Sequence, residues 1–293
     1  MIKSLKMLSI AIGASTALLV NLAHAAPTKP QLGVQLWSIK DDVSKDFEGT
    51  LKQVAAMGFN GVEFAGNFGN YANDPKGLHA FLKKNNLKVS GAHVPFEKFN
   101  AENFAATVAF YKAIDCKYLI IPMDKRAVTL EGAAEVAKDL TALEAKLKPF
   151  GMHTGYHNHK AELLDQNGPA NSTATSWDVI AKGTPASVVL EQDVAWTEAA
   201  KKDPTEVVKH YPGRIIATHY KAAAPEPGNT ENPIIGLDTT DWKSLITANR
   251  TVGGTQWFVI EQEVYPEGMT PLQSVDASLK GLKKILAELD AKK

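Results

Sequence analysis

The sequence predicts a (β/α)8 TIM barrel, a single domain after a cleaved signal peptide. From Gln31 onward, short apolar runs alternate strictly with longer stretches of helical periodicity, and the cycle repeats eight times. Eight is the number of parallel strands that closes such a barrel, which takes about 250 residues, so 293 residues hold one barrel and a leader. A doubly wound open sheet shares the alternation and is the alternative, but no Gly-x-Gly-x-x-Gly loop follows any of the runs.

The first strand is expected over 31–38, and a helix over 44–57 that closes at Gly58, a suitable left-handed cap. Strand two follows at 60–65, then a helix at 74–85 with Pro75 in its tolerated first turn. Strand three covers 87–93, a helix 101–114, and strand four 117–122, ended by Pro122. A helix over 129–148 leads to Gly151 and strand five at 152–157, and a helix over 173–181 to strand six at 187–193. Asp203 and Pro204 open a helix that ends near Tyr211, before strand seven at 214–220. A Pro/Gly-rich segment over 222–236 precedes a helix at 240–249, strand eight at 256–261 and a last helix at 271–289.

Residues 1–25 read as the signal peptide and 26–293 as the barrel. Lys3 and Lys6 precede an apolar run from Met7 to Leu22, and Ala23 and Ala25 supply the small residues of a cleavage site. Export to the periplasm is expected, with no membrane anchor after cleavage, because the run is shorter than the ~20 residues of a span. Cleavage removes two of the 32 basic residues against 32 acidic ones, leaving a net charge of −2. That balance argues against nucleic acid and for a small, weakly charged partner. Hydrophobic residues at 44% provide ample core, and nothing in the composition decides for or against a homo-oligomer. Cys116 is the sole cysteine, which excludes an intramolecular disulfide and a thiolate metal cluster.

Active sites of barrels lie at the C-terminal strand ends, and here those ends carry chemistry. Strand one contributes Gln35 and Trp37, strand two Glu63, strand three His93, and strand five His157 and His159. Strand six ends at Asp193, strand seven at His219 with Lys221 two residues on, and strand eight at Glu261 followed by Glu263. An acid or imidazole closing an apolar strand needs a partner. Mixed imidazole and carboxylate donors suit Mn²⁺, Zn²⁺, Co²⁺ or Fe²⁺ better than Ca²⁺ or Mg²⁺, so one divalent ion is the expected cofactor. Glu63, His93, His159 and Trp37 are candidate substrate contacts, with Trp196 and Tyr265 as further aromatic surface for a sugar ring. His153, inside strand five, is assigned to the helix side without a functional role.

These stretches resemble the sugar phosphate isomerase/epimerase family of xylose-isomerase-like barrels. The resemblance rests on Gly33-Val-Gln-Leu-Trp-Ser38, Gly61-Val-Glu-Phe-Ala65, Gly155-Tyr-His-Asn-His159, Leu190-Glu-Gln-Asp193, Ala217-Thr-His-Tyr-Lys221 and Phe258-Val-Ile-Glu-Gln-Glu263. It implies a single divalent metal held by residues of strands five to eight, which here are His157, Asp193, His219 and Glu261, with His159 as the other candidate from strand five. Many relatives carry Glu where His157 stands, so a symmetric two-base epimerisation does not follow. The resemblance implies sugar chemistry through a metal-stabilised enediolate, with Glu261 as base and Lys221 as acid or oxyanion stabiliser. Export and the lack of a Gly-rich phosphate loop point to a non-phosphorylated sugar, which the chain isomerises or epimerises. A lyase or hydrolase acting on 3-keto-glycosides, and a non-catalytic periplasmic sugar-binding barrel, are the alternatives.

Overall fold

The computed structural model describes residues 29–167 and 173–291; the leader expected over 1–25 lies outside them. Eight parallel strands form the barrel: β1 Gln31–Gln35, β2 Gly61–Phe64, β3 Lys88–His93, β4 Tyr118–Ile121, β5 His153–His157, β6 Val189–Asp193, β7 Ile215–Tyr220 and β8 Trp257–Ile260. Each pairs with its sequence neighbour, and β8 closes the ring against β1 with Val34 opposite Ile260. The helices are α1 Lys40–Lys45, α2 Phe47–Met57, α3 Pro75–Lys84, α4 Phe104–Ala113, α5 Leu130–Leu147, α6 Lys160–Leu163, α7 Ser176–Gly183, α8 Val194–Ala199, α9 Pro204–His210, α10 Trp242–Ala248 and α11 Pro271–Asp290. No helix of the described residues is long and apolar enough to cross a membrane.

Alternation along each strand divides the interior in two. Outward residues such as Val62, Phe64, Tyr156, Leu190, Tyr220 and Phe258 join the large core beneath the helices. Trp257 and Val259 alternate with Phe258 and pack with Ala217 in a separate apolar cluster, which floors the lumen. Glycine makes room for that floor: a Cβ on Gly61 would lie 2.8 Å from Trp257 Cη2. Above the floor, the inward positions turn polar, and nearly all are buried.

Gly155 shows how tightly β5 is set. A Cβ there would lie 2.5 Å from Val189 Cγ2 and 2.6 Å from the Val189 carbonyl oxygen. A backbone atom cannot swing away, so Gly155→Ala is expected to destabilise the chain by about 1–3 kcal/mol. Thermal unfolding checks this, and an unchanged midpoint contradicts it.

The eight cycles stand where the alternation puts them, with local differences. Strand one ends at Gln35 rather than residue 38, because the Gln35 side chain accepts the Trp37 N–H at 3.1 Å and starts a 3-10 turn over Leu36–Ile39. The helix expected over 44–57 is two helices, broken at Asp46, whose carboxylate accepts the Gly49 N–H and caps α2. The helix expected from Thr173 starts at Ser176, capped by Thr175, and Thr173–Ala174 instead pairs antiparallel with Gln166–Asn167. The short helices α6 and α8, directly after β5 and β6, have no periodicity long enough to read from sequence.

Candidate active site

The C-terminal strand ends converge on one buried polar cluster. Glu191, the middle residue of β6, lies opposite His157 on β5, and Asp193 lies opposite His219 on β7. His93 Nε2 is 2.8 Å, His157 Nδ1 3.1 Å and His219 Nε2 3.3 Å from the same Glu191 Oε2. His219 Nε2 also bonds Glu63, which accepts from Gln35 Nε2 at 3.1 Å. On its other side, His219 Nδ1 meets Glu261 Oε2 at 2.9 Å.

Lys221 continues the cluster outward. Its ammonium lies 2.6 Å from Glu263, 3.0 Å from Glu261 and 2.9 Å from Asp193 Oδ2, yet the side chain is only 1% exposed. The Asp193 contact is an ion pair without hydrogen-bond alignment, so Asp193 Oδ2 has no hydrogen-bond donor. Asp193 Oδ1 accepts the Trp196 N–H and caps α8, and the Asp193 N–H donates to Asn158 Oδ1 at 2.9 Å. Those two bonds fix the carboxylate at the strand end. The Trp196 ring covers the Lys221 ammonium at 5.3 Å.

Sequence-predicted residues are gathered here with two exceptions. Glu63, His93, His157, Asp193, His219, Lys221 and Glu261 share the lumen. His159 is adjacent, 5.0 Å from the His157 ring and 5.6 Å from Trp196, with a buried Nδ1 that has no partner. It belongs to neither of the two donor sets described below, both of which include His157. Trp37 stands apart on the 3-10 turn at the rim, 45% exposed, with the Lys40 ammonium 3.9 Å over its ring. There it lines a shallow hollow with Glu263 and Tyr265. His153 bonds Glu144 on α5 at 2.8 Å, as its helix-side assignment expected.

Glu191 was not singled out from sequence. The signal was present: it stands two residues before Asp193, and alternation turns both into the lumen.

Burial and mutual charge set the protonation of these groups. Burial pushes Glu63 up to about 7, assisted by Glu191, and pushes Asp193 up to about 7 against the pull of Lys221. Glu191 is buried too, but His219 and three imidazole hydrogen bonds hold it well below the usual carboxylate range. Glu261 is likewise held low despite burial, by Lys221 and His219. Burial opposes charge on His219, yet Glu191, Glu63 and Glu261 hold its pKa well above normal. His157 stays neutral because burial lowers it, and burial with Lys221 nearby brings His159 down to about 4.

The cluster therefore has more carboxylate than cation to match it, and its donors fit a divalent metal. Ligand atoms of His157, Asp193, His219 and Glu261 all lie within 4.8 Å of one another, and so do those of His93, His157, Glu191 and His219. Glu191 Oε1 and Asp193 Oδ2 are buried without a hydrogen-bond partner. Ligation through His219 has to displace a proton at neutral pH. Cation uptake at pH 7 is thus expected to release at least one proton per ion, with affinity rising with pH. Titration calorimetry in buffers of different ionisation enthalpy reads that number, and a pH-independent affinity contradicts it.

No protein-family model and no curated protein matches the chain. Among solved structures, a sugar phosphate isomerase/epimerase from Parabacteroides distasonis superposes with TM-score 0.70 at 23% identity, covering 87% of this chain and 98% of that one. The IolI protein with a bound zinc atom gives 0.65 at 15% identity, covering 88% of this chain and 99% of that one. The 3-keto-D-glucoside 4-epimerase of E. coli gives 0.60 at 17% identity, covering 87% of this chain and all (100%) of that one. These likenesses show the fold, a (β/α)8 barrel.

Proposed function

We propose that the chain is a divalent-metal enzyme that removes the proton beside the carbonyl of a non-phosphorylated sugar, and so isomerises or epimerises it. One observation carries the reading. Successive strand ends deliver a buried set of imidazole and carboxylate donors directly beside an ammonium shared by three carboxylates. The fold neighbours support it, since they include sugar isomerases or epimerases and a zinc-binding protein.

When bound, the cation supplies Lewis-acid stabilisation of the negative charge that develops on a substrate oxygen. His157 and His219 are common to both donor sets, completed by Asp193 and Glu261 or by His93 and Glu191. Glu261, ionised at neutral pH, takes the proton, and Lys221 donates to the developing oxyanion. The 3.0 Å contact between these two keeps base and donor adjacent; return of the proton from Glu261 to the neighbouring carbon isomerises the sugar, whereas epimerisation takes its delivery to the opposite face of the same carbon. Glu63 and His159 hold sugar hydroxyls, and Trp37 offers its ring at the rim.

The substrate class follows from charge and export. A lumen rich in carboxylate repels a phosphate, and its ammonium is already shared by Asp193, Glu261 and Glu263. A periplasmic location, proposed from the leader, fits a free sugar, a 3-keto-glycoside or a cyclitol. His157 at the position where many relatives carry Glu favours a second reading, in which proton loss beside a ketone expels the aglycone.

Incubating the metal-loaded protein with free and 3-keto sugars in D₂O, followed by NMR, tests both. Deuterium beside the carbonyl without cleavage supports isomerase or epimerase chemistry, and aglycone release supports the lyase or hydrolase. Neither outcome, together with no bound metal, leaves a non-catalytic sugar-binding barrel and overturns the proposal.

A further inference from the structure

We infer that the N-terminal mouth of the barrel, the end opposite the candidate active site, is a second ligand site, and that its ligand is a small polyhydroxylated anion, a sugar acid.

A cavity of about 620 Å³ lies there, a volume typical of small-molecule pockets. Its walls include the first residues of four strands: Gln31 of β1, Lys88 of β3, Tyr118 of β4 and Trp257 of β8. Residues at and just beyond the ends of α3 and α4 complete the rim.

Ser90 carries the inference. The pairing of β3 with β2 skips it, since Val62 faces Val89 and Glu63 faces Gly91. Its side chain lines the cavity at 3% exposure, yet its Oγ has no hydrogen-bond partner. A buried hydroxyl left without a partner is costly, and a ligand hydroxyl in the cavity removes that cost. Trp257 faces the same small volume. A Cβ on Gly33 would lie 3.5 Å from Ser90 Oγ and 3.5 Å from Trp257 Cε3. The cavity therefore offers a hydroxyl and a flat apolar ring together, as sugar rings require.

Charge then selects the ligand. Lys83, Lys88 and Lys117 stand exposed around the rim, and Asp115 is the one carboxylate lining it. None of the three ammonium groups has a carboxylate partner among the described residues. Together they attract an anion, but solvent screens each of them, so affinity also needs the neutral groups below. Those are Ser90, the side-chain amides of Gln31 and Gln256, and the Tyr118 hydroxyl, which donates to Gln256 Oε1 at 3.3 Å. A carboxylate at the rim with ring hydroxyls beneath it matches this order. Inorganic phosphate reaches the lysines alone, and a neutral sugar leaves them unmatched. The floor of Trp257, Val259 and Ala217 separates this mouth from the lumen above, so binding here needs no metal.

The test follows the five tryptophan indole N–H signals by NMR while D-glucuronate is added to the whole chain. Trp257→Phe assigns the Trp257 signal. D-Glucuronate is expected to shift that signal and to leave the Trp196 signal in place, and the affinity is expected to fall at high salt. Lys88→Gln combined with Lys117→Gln is expected to weaken binding about 10-fold. Ser90→Ala is expected to weaken it about 3–10-fold without lowering the Tm of the free protein. A lower Tm with unchanged affinity makes Ser90 a packing residue and overturns the inference. D-Glucose binding as tightly as D-glucuronate overturns the anionic class, and inorganic phosphate binding as tightly overturns the sugar acid. A shift of Trp196 without Trp257, or no shift at all with D-glucuronate or D-gluconate, overturns the site and leaves the metal-enzyme reading untouched.

Discussion

His219→Ala is expected to strip the chain of its cation and to lower kcat/KM by about 1000-fold, the loss of several kcal/mol of transition-state stabilisation. His219 is shared by both donor sets and contacts Glu63, Glu191 and Glu261 at once. Its removal also leaves those buried carboxylates without their imidazolium, a change expected to cost about 3–5 kcal/mol of stability. Metal analysis of the purified variant separates the two effects when read beside its circular dichroism. A folded variant that retains its metal and its turnover contradicts the assignment. His219→Gln keeps a hydrogen-bonding side chain of similar reach and is expected to lose the metal with a smaller loss of stability.

Lys221→Met is the second large effect, and it acts first on the fold. The substitution leaves Asp193, Glu261 and Glu263 facing one another around an apolar side chain. Breaking a buried ion pair from one side costs about 3–5 kcal/mol, which lowers Tm by roughly 10 °C for a chain of this size. The sign of the pH dependence follows from the carboxylates. Without the ammonium, their folded-state pKa values rise further, from an Asp193 already pushed up to about 7. A carboxylate whose folded pKa is raised weakens the fold as pH climbs above its unfolded value, and the penalty is complete above the folded value. The variant's deficit is therefore expected to be largest at pH 8 and to shrink toward pH 5. Thermal melts across that range check it. A deficit that grows toward pH 5 contradicts the assignment of Lys221 as the shared countercharge. Freed of the ammonium, these carboxylates are also expected to bind added Mn²⁺, which restores part of the lost Tm.

The barrel was legible because its evidence is local and repeated. Each apolar run is bounded by glycine, proline or a capping residue, and Gly58 and Pro75 sit where those signals put them. The ends of β6, β7 and β8 were legible for a different reason, since Asp193, His219 and Glu261 close apolar runs where a lone charge is costly. Proximity was not legible. His93 and Glu191 are 98 residues apart and meet only because β3 and β6 both turn those positions into the lumen. Glu191 was hidden inside an apolar strand whose final residue drew the assignment. Trp37 stands at the rim and not in the lumen because strand one ends at Gln35, whose own side chain accepts the Trp37 N–H.

The missing strand-five glutamate takes on a different meaning in three dimensions. His157 faces Glu191 across the β5–β6 pair, so β6 brings into the lumen a carboxylate that β5 lacks. The count of acids around the lumen therefore does not decide against epimerisation, whereas the sequence of strand five alone weighs against it. The choice between epimerisation and elimination then depends on what leaves the substrate, which product analysis decides.

Solvent exchange at the carbon beside a sugar carbonyl tests the central claim most directly, with the same protein assayed before chelation, after it, and after metal is returned. Exchange is expected with the metal present, to fall by about 1000-fold on its removal, and to return with Mn²⁺, Zn²⁺ or Co²⁺. Exchange that persists undiminished in the stripped protein would contradict a metal-assisted mechanism and leave Lys221 and Glu261 to act alone.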